Sequence, residues 1–261
     1  SRLGDVLHNP RVGLKAAQQI ASTQKNAAIG VVDFDGLPAG IAGDLREGGP
    51  DLVLTDASVL FGKLRGKADP AEIALAQNAA AIAHRALAQA RGATLNAMIA
   101  AVEREARLLG AEEIYIAAAP DLARGAAFRR IEGEAAIGES HALRATVAYK
   151  GIWVRLVRTF CAADLAHEAA ARFAQAVAQL PSGRGFASGF DSYLVEGCRM
   201  AQPLEPLMGS RLEGENQPPH GALVSVQATI AIEGRTVPVG APVLLGQEGE
   251  TASLLIDPLY D

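Results

Sequence analysis

One run constrains this chain more than any other: Arg144-Ala-Thr-Val-Ala-Tyr149-Lys-Gly151-Ile-Trp153-Val-Arg155-Leu-Val-Arg158-Thr159-Phe160. Its β-branched and aromatic residues, interrupted once at Lys150-Gly151, predict two strands joined by a tight turn. A hairpin is the element around which the rest must be arranged.

With 261 residues, 49% of them apolar, there is material for one large or two smaller domains with a full core. Lys and Arg number 24 against 29 Asp and Glu, for a net charge of −5, a balance that argues against nucleic-acid or anionic-membrane partners. Only Cys161 and Cys198 are present, so neither a disulfide framework nor a thiolate zinc site is indicated, and a reducing cytoplasm is the expected setting. No apolar run reaches the roughly 18 residues of a membrane span, and Ser1-Arg-Leu-Gly-Asp lacks the regions of a signal peptide. The expectation is a soluble protein.

In chain order, the apolar spacing predicts a short helix within 11–25, a buried strand over 27–34, a helix from Leu37 towards Arg46, a strand over 51–54 and a helix to about Leu64. Strand alternating with helix is an α/β pattern. Asp69 as N-cap and Pro70 in the first helical position begin a helix to about Arg91. Thr94 caps another, ended by Gly110. A strand over 112–118 leads through a turn at Gly138-Glu139 to the hairpin. A long helix follows over 164–180, and a short loop is expected between Leu180 and Gly197. The remainder reads as strands over 222–232, 236–239, 242–245 and 253–256.

Tyr149, Gly151 and the Arg158-Thr159-Phe160 ending resemble the central hairpin of the creatinase/aminopeptidase P/methionine aminopeptidase family, whose pattern is roughly Asp-x-Gly-x-x-Tyr-x-Gly-Tyr-x-x-Asp-x-Thr-Arg-Thr-Phe. Leu64-Arg65-Gly-Lys67-Ala-Asp69-Pro70-Ala-Glu72-Ile73 is similar to the segment that enters the catalytic domain of creatinase and aminopeptidase P. The resemblance implies an α+β pita-bread fold, with a curved antiparallel sheet covered by helices, over 67–261. Residues 1–66 are then expected to be a truncated α/β amino-terminal domain lacking its first half.

What the resemblance implies for the site is a loss. The two aspartates that hold divalent cations in metal-dependent relatives correspond to Arg144 and Arg155, the histidine to Cys198, and the two glutamates to Gln227 and Gly240. A guanidinium has donors only and stays protonated, so this set predicts no metal and no cofactor. Creatinase works without metal through a histidine, and near that place this chain has Ala126, Ala127 and Phe128. His141 and Cys198 are the remaining candidates for catalysis, each more commonly structural or apolar filler. Arg144, Arg155 and Arg199, with Gln227 and Tyr149, are candidate ligand-binding residues: in a partly dry cleft the guanidiniums favour a small carboxylate or phosphate. The competing reading is that the arginines pair internally with Glu196 or Glu205.

The expected function is that of a metal-free, non-peptidase pseudoenzyme: a ligand-binding or complex subunit, forming a homodimer or pairing with a related subunit. The alternative is a metal-independent, creatinase-like hydrolase or lyase acting on a small amide, guanidino or carboxylate substrate, with Arg144 and Arg155 orienting it.

Overall fold

The computed structural model describes residues 11–23, 28–180, 190–198 and 220–256. They fall into two compact units, Ser1–Arg65 and Gly66–Asp261.

In the first unit, helices α1 (Val12–Thr23), α2 (Ala39–Gly48) and α3 (Ser58–Leu64) accompany strands β1 (Ala28–Val31) and β2 (Val53–Asp56). The two strands pair in parallel, Ala28 opposite Val53 through Val31 opposite Asp56. Helices α1 and α2 approach closely where Gly48 has no side chain. A Cβ there would lie 2.7 Å from the Leu14 carbonyl oxygen and 2.8 Å from Ala17 Cβ. Arg11 ties the same two helices by pairing with Asp44 and Glu47.

The second unit is a seven-stranded antiparallel sheet in the order β3-β4-β5-β8-β7-β6, with β9 added on β8. The strands are β3 (Glu113–Ala119), β4 (His141–Tyr149), β5 (Ile152–Phe160), β6 (Phe190–Gly197), β7 (Leu223–Ile232), β8 (Arg235–Leu244) and β9 (Ser253–Leu254). Helices α4 (Pro70–Ala88), α5 (Leu95–Leu108) and α6 (Ala163–Ala178) cover one face. Among the described residues no helix is long and apolar enough to cross a membrane.

Local sequence accounts for most of these elements. Asp69 and Glu72 form a reciprocal capping box, with Glu72 N donating to Asp69 Oδ1 at 2.8 Å and Asp69 N to Glu72 Oε2 at 3.1 Å. Thr94 Oγ1 accepts from Ala97 N at 3.2 Å to start α5. The hairpin turn places Lys150 at φ 53° and Gly151 at φ 80°, the two positive values that a two-residue connection needs to match strand twist. Because side chains alternate, Leu143, Ala145 and Val147 of β4, with Val154 and Leu156 of β5, join the core on the helix side.

Two expectations about the carboxy-terminal half are corrected. The residues before Gly197 are not a short loop but strand β6, whose outer half is exposed and polar, as befits an edge strand. The strands expected over 236–239 and 242–245 are one, β8, running through Pro238 and Pro242. Proline cannot donate to a ladder, and on the β5 side the β8 register shrinks to the single pair Val157 and Gly240.

The sheet bends sharply at this corner. Strands β8 and β7 lie between β5 and β6 in the order, yet Trp153 N donates to Cys198 O at 2.7 Å, just past the end of β6. Neighbouring strands are about 4.8 Å apart, so a flat sheet would hold these groups well beyond bonding distance. The sheet is therefore curved, and the inside of the curve faces away from the helices.

Candidate functional site

Residues opposite one another across antiparallel strands share a face. Arg144 lies opposite Val157, Val157 opposite Gly240, and Gly240 opposite Gln227. Thr146 lies opposite Arg155, and Ser225, two residues from Gln227, lies opposite Glu196. Cys198 follows two residues later, buried, its sulfur 3.6 Å from Ser225 Oγ. The positions 144, 155, 198, 227 and 240 are thus gathered on the inner face of the curve, from four strands and a strand end that are distant in sequence.

At the centre, Arg155 is buried and forms an ion pair with buried Glu196. Its Nε donates to Thr146 Oγ1 at 3.1 Å, and its backbone N–H donates to Ser225 Oγ at 2.9 Å. The Glu196 carboxylate is engaged through Oε2, while Oε1 is buried with no hydrogen-bond partner. A buried charge requires such compensation, and internal pairing with Glu196 is what the arginine at 155 has.

Arg144 occupies the other end of the cluster. Its Nη1 donates to Gln227 Oε1 at 3.3 Å, and its guanidinium lies 5.1 Å from the ring centroid of Phe128. Phe128 belongs to a small apolar group with Ala119, Leu122 and Ala142 that covers this part of the inner face. A Cβ on Gly240 would sit 3.0 Å from both Val157 Cγ2 and the Val226 carbonyl oxygen, so the last of the five positions is filled by its neighbours.

This donor set does not fit a divalent metal. Two guanidiniums, an amide, a thiol and a glycine occupy the five positions, and the neighbouring carboxylate of Glu196 is bound to Arg155. Among the described residues there is also no group of three or more His, Cys, Asp and Glu placed to hold a metal ion.

Two candidates lie elsewhere. His141 is an odd number of residues from Arg144 and so faces the helix side, stacked on Phe160 with ring centroids 4.7 Å apart and planes 9° from parallel. Burial pushes its pKa below the ordinary histidine value, with the Gly138 backbone opposing the shift. Tyr149 also falls on the helix side, at the turn end of β4, its ring edge 4.0 Å from where a Cβ on Gly110 would be. Neither joins the cluster on the inner face. Arg199 and Glu205 lie outside the described residues.

Glu196, Thr146, Ser225 and Phe128 are members of the cluster that sequence reasoning did not assign as site residues. Parity offered a signal for Glu196, which stands two residues from Cys198 and therefore shares its side of the chain. For Phe128 the pointer was the resemblance, which puts creatinase's histidine near Ala126, Ala127 and Phe128.

No protein-family model and no curated protein sequence matches the chain. Solved structures do. The X-Pro aminopeptidase from Thermotoga maritima MSB8 superposes with a TM-score of 0.67 at 17% identity, over 95% of this chain and 78% of that one. The Xaa-Pro dipeptidase from Bacillus anthracis gives 0.60 at 18%, over 93% and 76%, and the prolidase from Pyrococcus furiosus 0.58 at 17%, over 94% and 80%.

Proposed function

We propose that this chain, which has the pita-bread fold of X-Pro aminopeptidases and prolidases, is a metal-free, non-peptidase member of that structural class that serves as a binding or complex subunit. The observation that carries this reading is the buried Arg155–Glu196 ion pair beside Arg144 on the inner face of the sheet. Two guanidiniums, that of Arg144 and that of Arg155 locked to Glu196, stand where a peptidase of this architecture requires anionic ligands.

The same charge favours a small anion. Arg144 and the Gln227 amide offer planar donors suited to a carboxylate or phosphate, at the end of the cluster where Arg155 is not required. Catalysis without metal has less support, because His141 faces the other side of the sheet from Cys198. Association with a second copy or a related subunit completes the reading.

Elemental analysis of the purified protein, a titration with manganese, cobalt and zinc, and an assay on Xaa-Pro peptides test the first part. Stoichiometric metal or metal-dependent cleavage defeats it. A thermal-shift series of small carboxylates and phosphate tests the second: shifts that persist unchanged in both Arg144→Ala and Gln227→Leu remove the anion site. Sedimentation of the unaltered protein reads the oligomeric state.

A further inference from the structure

We propose that His141 is an acid-released latch on the segment of residues 120–140, and through Phe128 on the Arg144 end of the inner face. The imidazole is buried, and among the described residues neither ring nitrogen has a hydrogen-bond partner. It is held by stacking on Phe160, whose ring also carries the Arg158 guanidinium 5.3 Å from its centroid. A neutral ring tolerates this setting. A protonated one brings two N–H donors for which only the Gly138 backbone offers help, less than burial costs, and puts a second positive charge against the Phe160 ring that already carries Arg158.

The charged groups nearby do not relieve it. From β5 comes Arg158, which also donates to the Leu87 carbonyl at the end of α4. From the 120–140 segment come Asp121 and Arg124, paired with each other at 3.2 Å, and Asp121 Oδ1 further accepts from Ala123 N at 3.0 Å. The β3 residue facing Ala142 is Ala119, which carries no charge.

The residues just before His141 staple the segment shut. Gly138 N donates to Pro120 O at 2.8 Å, and Leu122 N donates to Ser140 O at 2.9 Å. A Cβ on Gly138 would lie 2.6 Å from Asp121 Cγ, so this closure has no slack. Between the staples, Arg129 pairs with Ala118 at the edge of β3, and Phe128 lies over Arg144. Residues 141 and 142 point to opposite faces, which makes the strand start a pivot. Swinging the protonated ring out to water pulls Ser140 from Leu122 on one side and loosens the Phe128 contact with Ala142 on the other. Acid thereby uncovers the Arg144 guanidinium. The latch does not depend on whether an anion binds there.

Hydrogen exchange of the full chain, compared at about pH 8 and about pH 5 after correction for intrinsic rates, tests this. The expected result is that amides within 121–139 exchange about tenfold faster or more at the lower pH, while β4 and β5 beyond residue 143 keep their protection. His141→Phe keeps the stack without the proton and is expected to hold the segment protected at both values. Equal protection of the unaltered segment at the two values, or the same loss in His141→Phe, overturns the latch. Should the variant fail to fold, the ring titration of His141 in the unaltered protein decides: a latch requires titration below the ordinary value of about 6.5, and titration at or above it overturns the proposal.

Discussion

Arg155 and Glu196 form a buried ion pair although two strands separate theirs in the sheet order. Only the curvature that brings the end of β6 back to β5 makes the pair. The charge state of the inner face is therefore tied to the shape of the sheet.

Removing one partner leaves the other charge buried and uncompensated. Arg155→Met or Glu196→Leu is expected to lower unfolding free energy by about 3–5 kcal/mol, and the double variant by clearly less than the sum. Urea denaturation of the four proteins reads the difference. Additive losses would mean that the two groups do not stabilise each other.

Gly240 is crowded by Val157 and the Val226 carbonyl. Gly240→Ala is expected to cost about 1–3 kcal/mol, and Val157→Ala in the same chain to recover part of that loss. Thermal denaturation checks both. A neutral Gly240→Ala would show that this position has room for a ligating side chain.

Phe128 over Arg144 is a cation–π contact. A double-mutant cycle with Phe128→Leu and Arg144→Met is expected to give a coupling of about 0.5–1 kcal/mol. Zero coupling would leave Phe128 as apolar cover alone.

The sign for His141 follows from burial, which lowers its pKa in the folded chain. The unfolded chain then binds the proton more readily, so the stabilisation present above the ordinary histidine value is lost as pH falls below it towards the folded value. Denaturant midpoints measured from about pH 8 downward are expected to drop more steeply for the unaltered protein than for His141→Phe. Parallel curves would contradict the assignment.

The correspondence between sequence and structure divides by range. The Lys150-Gly151 turn, the Asp69 and Thr94 caps and the alternation of β4 and β5 depend on residues within a few positions of one another, so they can be read along the chain. The guanidiniums at 144 and 155 were equally legible, since charge belongs to the residue type. Strand β6 was missed because an edge strand exposed in its outer half carries little apolar signal, and β8 was split because its prolines read as breaks. Placing His141 and Tyr149 at the site overlooked strand parity, which sends them to the helix side while Arg144 faces inward.

By itself, then, the sequence determined the local elements and the positive character of positions 144 and 155, because backbone propensity and ionisation are properties of short stretches and single side chains. The tertiary structure alone decided that Glu196 neutralises Arg155, that Phe128 covers Arg144 and that Val157 closes over Gly240. Those choices depend on which distant strands the curved sheet brings within a few ångströms, and closure of a long-range sheet leaves no periodic trace along the chain.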